Sequence, residues 1–198
     1  VFDHVSFAYE NCPNILNDVS FEIRAGTTFG ILGATGSGKS TMMYLLDRLY
    51  DLPPENGKIT VGGIDISDIS AKWLRSRIGM VLQEPFMFSR TLEENIGITA
   101  DKAKLPEIRE AASIACLDDT VEQFANGYDT FVGERGVTLS GGQKQRAAIA
   151  RMLVGKKPIM VFDDSLSAVD TETDAKIRAA LAEKTAGATV ILIAHRIT

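Results

Sequence analysis

Residues Gly33-Ala34-Thr35-Gly36-Ser37-Gly38-Lys39-Ser40 spell G-x-x-x-x-G-K-S, and no other stretch of the chain narrows the fold as sharply. Glycines in this spacing let the backbone curl until several N–H groups and a helix N-terminus face one anion. Lys39 adds a mobile positive charge, and Ser40 can place its hydroxyl on a Mg2+ ion. The flanking residues agree. Thr27 to Leu32 is a short apolar run that predicts a strand, and Met42, Leu45, Leu46 and Leu49 recur behind the loop at helical spacing. Strand, glycine loop and helix in that order make a phosphate-binding loop, with Thr41 as the last residue of the nucleotide-contacting stretch.

Composition bounds what surrounds this loop. The 198 residues are 45% hydrophobic and 24% charged, which predicts one soluble globular domain with a sizeable core and room for a subdomain. Twenty-one basic residues stand against 26 acidic ones, for a net charge of -5. With no long basic run, a nucleic-acid backbone is not the expected ligand. No stretch approaches the ~20 consecutive apolar residues that cross a bilayer, and the first residues carry no signal-peptide pattern. Cys12 and Cys116 belong to no CxxC pair, so neither a zinc site nor a disulfide framework finds support, and a reducing cytosol is the simplest setting.

The pattern changes along the chain. Up to about Ile66 it is short and β-like: Val5 and Phe7 alternate with polar residues, as do Val19, Phe21 and Ile23. Lys58 to Val61, Gly62-Gly63 and Ile64 to Ile66 read as a tight antiparallel hairpin. Ile78 to Gln83 predicts a further strand. From Glu84 to about Leu153 the chain reads as mostly helical, with Leu105-Pro106-Glu107 opening one helix and Ser140 capping another. Buried-type strands return at Pro158 to Phe162 and at Thr189 to Ala194, around a helix that starts near Asp170 to Thr173 and turns Ile177 and Leu181 inward. The expected fold is α/β: a P-loop core, an N-terminal antiparallel β lobe and a helical insertion over 84–153, all in one compact unit.

Two further features bear on chemistry. Asp163 ends the apolar run Ile159-Met160-Val161-Phe162, and ligands of open α/β sheets gather beyond the carboxyl ends of strands. Taken alone, such an aspartate is as readily a turn residue. Beside a phosphate loop, it can hold Mg2+ through the ion's water shell together with Ser40. The second feature is Leu139-Ser140-Gly141-Gly142-Gln143 ahead of an alanine-rich helix. Alone it is a helix cap; with a hydroxyl at Ser140 and a bare N–H at Gly142 it is also a second anion site at a helix N-terminus.

Lying between a phosphate loop and a strand-end aspartate, the LSGGQ run makes the chain resemble the ATP-binding cassette ATPases, over its whole length. The resemblance implies ATP and Mg2+ as cofactors, Asp163 as the Walker B aspartate, and a head-to-tail pair in which one chain's Ser140 and Gly142 close over the γ-phosphate held by the other. It makes Tyr9 the aromatic stacked on adenine, although a tyrosine ending a strand is as often simple packing. Gln83 is implied at the metal and the attacking water, His195 at the γ-phosphate, and Ser167-Ala168-Val169-Asp170 as the loop facing the partner, Asp170 doubling as a helix cap. Thr130 to Gly136 and Pro85-Phe86-Met87-Phe88 with Thr91 to Ile96 resemble the exporter subtype, whose surface there receives helices of a transmembrane domain; Phe86 and Phe88 read alternatively as subdomain core. The resemblance therefore implies a cytoplasmic domain at a membrane face. Family members continue past the histidine, so the chain is expected to be a fragment lacking the C-terminal end of the domain.

One position departs from the pattern. Where the family usually has a glutamate that orients or deprotonates water, this chain has Asp164, one methylene shorter. A displacement of about 1 Å can lower a rate on the order of a hundredfold, so ATP binding should persist while hydrolysis at this loop slows. With the LSGGQ run intact, the combination resembles the degenerate half of a heterodimeric exporter, although a retained His195 counts against that. Three functions follow as expectations: an ATPase domain powering export, a regulatory ATP-binding half with little turnover of its own, and a soluble non-transport cassette. The last usually carries coiled-coil arms or tandem cassettes, which are absent here.

Overall fold

The computed structural model describes residues 1–100, 103–163 and 169–194. In chain order its strands are β1 (Phe2–Ala8), β2 (Asn14–Phe21), β3 (Thr28–Leu32), β4 (Lys58–Val61), β5 (Ile64–Asp65), β6 (Ile78–Val81), β7 (Arg90–Thr91), β8 (Phe131–Val132), β9 (Ile159–Asp163) and β10 (Thr189–Ala194). The helices are α1 (Lys39–Leu46), α2 (Ala71–Arg77), α3 (Leu92–Gly97), α4 (Leu105–Ile114), α5 (Asp118–Glu122), α6 (Gly141–Val154) and α7 (Thr171–Lys184). Packing divides them into two compact units, one of Val1–Gly79, Pro158–Val161 and Gly187–Thr198, the other of Met80–Lys157 and Phe162–Ala186. The division falls inside β6 and β9.

The first unit begins with an antiparallel sheet ordered β2-β1-β4-β5. Alternation in β1 buries Val5 and Phe7, but strict period 2 would turn Phe2 to the opposite face. A register shift between Phe2 and Val5 corrects this, with His4 at φ 51 and Asp18 on the facing strand also at φ 51. The bulge returns Phe2 to the core, where its ring stacks on Phe21 at 4.6 Å. β4 and β5 form the expected hairpin, Val61 opposite Ile64 across Gly62-Gly63. Ile66 leaves the strand to start a 3-10 turn capped by Asp65.

Apolar strands run through the second sheet, ordered β3-β10-β9-β6. β3 and β10 are parallel and in register from Thr28 opposite Val190 to Leu32 opposite Ala194. Val190, Ile191 and Ile193 are buried, as a strand covered on both faces requires. In α1, Met43 and Leu45 are wholly buried, each worth roughly 1.5–3 kcal/mol of transfer free energy. Leu49 was expected on the same stripe. It lies past the helix and is 53% exposed, because the chain turns at Asp47 and Arg48, the latter at φ 51.

In the second unit α6 is the central helix, packed against α3 and α4. Ala147, Ala148 and Ala150 are buried on it, as are Ile108, Ala111 and Ala112 on α4 and Leu92 and Ile96 on α3, and small side chains on α6 suit close approach of the helices. α7 buries Ile177 and Leu181 as its spacing predicts. The stretch expected to be mostly helical also holds the antiparallel pair β7 and β8, Arg90 opposite Val132. Two-residue strands are too short for alternation to register in sequence. The strand expected from Ile78 to Gln83 stops at Val81. Pro85 cannot donate to a ladder, and the Gln83 carbonyl accepts instead from the Gln145 side chain.

Candidate nucleotide site and signature helix

Within the first unit β3 leads straight into the glycine loop, and β10 ends beside it, Ala194 opposite Leu32. Two glycines of the loop differ in what a side chain would meet. Gly38 takes φ 87 at the start of α1, and a Cβ there would lie 2.6 Å from Leu16 Cδ2. At Gly33 the conformation is ordinary, but a Cβ would come within 2.8 Å of Ser37 Oγ. No side chain caps α1 at Gly38, so the helix end presents backbone N–H groups and the positive end of its dipole.

Lys39 is only 5% exposed, and its Nζ donates to the carbonyls of Gly33 and Ala34, each at 2.7 Å. The ammonium is thereby folded onto its own loop. Ala34, Thr35, Gly36 and Ser37 are exposed on the loop, Ser40 is half-buried and Thr41 buried. The Tyr9 and Thr41 hydroxyls share a hydrogen bond of 3.0 Å. Half-buried Tyr9 also meets Phe7 and Tyr50 edge to face, at 5.2 and 5.0 Å. One unit thus gathers Tyr9 and the whole stretch from Gly33 to Thr41.

The second unit holds Ser140, Gly142, Gln83, Asp163 and Asp170. Ser140 caps α6 in a reciprocal box: its Oγ accepts from the Gln143 N–H at 3.3 Å, and Gln143 Oε1 accepts from the Ser140 N–H at 2.8 Å. Ser140 is exposed and Gly142 half-buried. Gln83 is exposed, two residues past β6, with its carbonyl held by Gln145 Nε2 at 3.2 Å. Asp163 is the last residue of β9 and 5% exposed. Asp170 caps α7, its carboxylate accepting from the Thr173 N–H at 3.0 Å; that bond holds its pKa below the ordinary carboxylate value. Asp164, Ser167, Ala168 and His195 lie outside the described residues.

A buried polar cluster went unread in the sequence. Asn95 is 0% exposed and Arg151 half-buried, and the two are hydrogen-bonded, Arg151 Nη2 donating to Asn95 Oδ1 at 3.1 Å. The available signal was phase. Arg151 falls three and four residues after Ala148 and Ala147, on the stripe that α6 buries, where a cation needs a purpose-built set of acceptors.

The donor chemistry of the first unit fits a polyphosphate: an uncapped helix end, glycines that admit close approach, and a lysine held at the loop. Among the described residues no group of three or more His, Cys, Asp or Glu could hold a metal. A hard cation here would rest on single protein oxygens together with phosphate oxygens, the usual arrangement for Mg2+.

The profile of the family described as "ABC transporter" matches residues 16–167. An uncharacterized ABC transporter ATP-binding protein of Bacillus subtilis (strain 168), YwjA, is 45% identical over 99% of this chain and 34% of its own length. The beta-(1-->2)glucan export ATP-binding/permease protein NdvA of Brucella suis biovar 1 is 42% identical over 100% of this chain and 33% of its own. A solved structure described as a bacterial Atm1-family ABC exporter with ATP bound superposes with a TM-score of 0.94 at 42% identity, covering 98% of this chain and 34% of the other. The chain thus spans about a third of the length of each of these two relatives.

Proposed function

Since the chain belongs to the ABC transporter family, we propose that it is the ATP-binding and ATP-hydrolysing domain of an exporter, working at the cytoplasmic face of a membrane. The observation that carries this reading is the presence of two unlike helix ends. Gly38 opens α1 with no side-chain cap beside a buried Lys39. Ser140 opens α6 exposed and with a reciprocal capping box. The first has what an anion needs to be bound outright; the second is suited to touch an anion held by another molecule. Its partner is a second such domain, a different chain being favoured by Asp164.

When bound, ATP supplies a transferable phosphoryl group and Mg2+ neutralises the charge that develops during transfer. The roles of this chain's residues follow from their chemistry. Backbone N–H groups from Gly33 to Ser40 and the Lys39 ammonium hold phosphate oxygens, and Tyr9 offers its ring to the base. Ser40 and Asp163 would offer oxygens to the metal, and Gln83 would serve metal and water. Asp164 orients the attacking water or takes its proton, and His195 donates toward the γ-phosphate. Ser140 and Gly142 serve the partner's nucleotide. No helix among the described residues is long and apolar enough to cross a membrane. Phe86 and Phe88, 54% and 39% exposed and in edge contact at 5.0 Å, form an apolar surface suited to the helices of a separate transmembrane domain. ATP-driven pairing would move those helices by favouring the closed pair, and phosphate release would reopen it.

The test is pairing. Sedimentation with MgATP and the native partner should show dimers for the unmodified chain and monomers for Ser140→Arg, with MgATP affinity of the isolated chain unchanged. Normal dimers of Ser140→Arg would reject the role of α6 at a partner's nucleotide. A second reading, a regulatory half with little turnover at its own loop, is favoured by Asp164 in place of glutamate.

A further inference from the structure

The surface carrying Phe86 and Phe88 is attached to α6 by a half-buried cation. Phe86 and Phe88 point outward, while Met87 between them is 0% exposed, as an extended segment alternates. Behind the segment, Arg151 Nη1 donates to the Phe86 carbonyl at 2.9 Å. Its Nε donates to the Asn95 carbonyl at 2.7 Å and its Nη2 to Asn95 Oδ1 at 3.1 Å, with Met87 Sδ at 3.3 Å. The guanidinium also lies 5.8 Å from the centre of the Phe88 ring.

Asn95 completes the clamp. Its Oδ1 accepts the Phe88 N–H at 2.9 Å, and its Nδ2 donates to the carbonyls of Phe88 and Thr91 at 2.9 and 3.0 Å. At the other end of the segment Gln145 Nε2 holds the Gln83 carbonyl. Gln145 and Arg151 are six residues apart on α6, about 9 Å of helix rise, so one rigid rod grips the segment at two points. Both grips lie on the helix that Ser140 opens.

The oxygens that receive Arg151 are neutral, and burial lowers its pKa to about 10, leaving it protonated at neutral pH. A half-buried charge held by neutral oxygens is a poor device for stability alone, since its desolvation offsets much of what the hydrogen bonds return. A planar fork with fixed donors is instead a device for geometry. We infer that Arg151 is a positioning residue: it fixes the Phe86–Phe88 surface to α6, so that a displacement of the Ser140 helix end on pairing is delivered to that surface. This rests on the proposed pairing of two domains over nucleotide.

Amide hydrogen exchange in the full-length protein, with and without Mg2+ and the non-hydrolysable analogue AMP-PNP, tests it. In the unmodified protein, exchange at 140–143 and at 84–90 should both slow with the analogue, at the same midpoint concentration. In Arg151→Lys the response at 140–143 should persist, while that at 84–90 should shrink roughly fivefold, within the range measured for residues that couple sites. A role in stability alone would change baseline exchange and melting temperature and leave the nucleotide-dependent difference at 84–90 intact. That result, or a response at 140–143 with none at 84–90 in the unmodified protein, overturns the inference even if the variant does not fold. No response at 140–143 in the unmodified protein would instead reject the pairing on which the inference rests, and the inference with it.

Discussion

The N-termini of α1 and α6 share the same physics and are finished differently. At α1 the capping position is Gly38, which contributes no side chain, and a buried ammonium stands beside the loop. At α6 the Ser140 hydroxyl and the Gln143 amide satisfy each other's backbone donors within the chain. An open end with its own cation can retain an anion, whereas a capped end is stable without one. A helix that must sit exposed and wait for a partner's phosphate benefits from the second construction, because unsatisfied N–H groups at the end of a structural helix weaken it. The α7 terminus is a third variant, in which the anion is built in as the Asp170 carboxylate.

Removing the cation should break the contrast most severely. Lys39→Ala takes away a charge-assisted donor and should weaken MgATP binding by about a hundredfold, measured by calorimetry. Unchanged affinity would mean that the open end of α1 is not the nucleotide site. Turnover sharpens the comparison next, because each helix end serves a different nucleotide. In pairs whose other phosphate loop is inactivated, Asp164→Glu should raise single-turnover hydrolysis by about one to two orders of magnitude, without tightening ATP binding. An unmodified chain that already matches its glutamate variant would make the site fully active and remove the case for a regulatory half.

Smaller effects separate capping from ligand contact. Ser140→Ala should lower the stability of the isolated chain by about 1 kcal/mol through loss of the cap, seen in denaturant melts without nucleotide. No loss would show that the box is idle in the unpaired chain. The smallest effect concerns α7. The Thr173 N–H stabilises the ionised Asp170 carboxylate and depresses its pKa. Its contribution is therefore present above the unfolded carboxylate pKa, about 3.9, and is lost as pH falls through the lower folded value. Asp170→Asn, which caps without titrating, should leave the neutral melting temperature nearly unchanged and flatten its decline in acid. An acid decline identical to the unmodified chain would assign that loss to other carboxylates.

Much of this molecule is decided by local rules that a sequence displays. The loop from Gly33 to Ser40, the hairpin at Gly62-Gly63, the Ser140 and Asp170 caps, and β10 from Thr189 to Ala194 each depend on residues within a few positions of one another. Steric freedom at glycine, capping and apolar runs all act at that range, so the residues alone determine them. Family membership follows from the order of the same motifs. Tertiary contact decided the rest. The bulge at His4 exists because Phe2 must reach a core shared with Phe21, and β6 stops at Val81 where the side chain of Gln145, 62 residues on, takes the Gln83 carbonyl. Arg151 and Asn95 form a clamp only because α6 packs against α3. An arginine on a buried stripe announces that acceptors must exist, but which carbonyls they are depends on which segments the fold brings to it, since a hydrogen bond is set by distance and angle in space and not by separation along the chain.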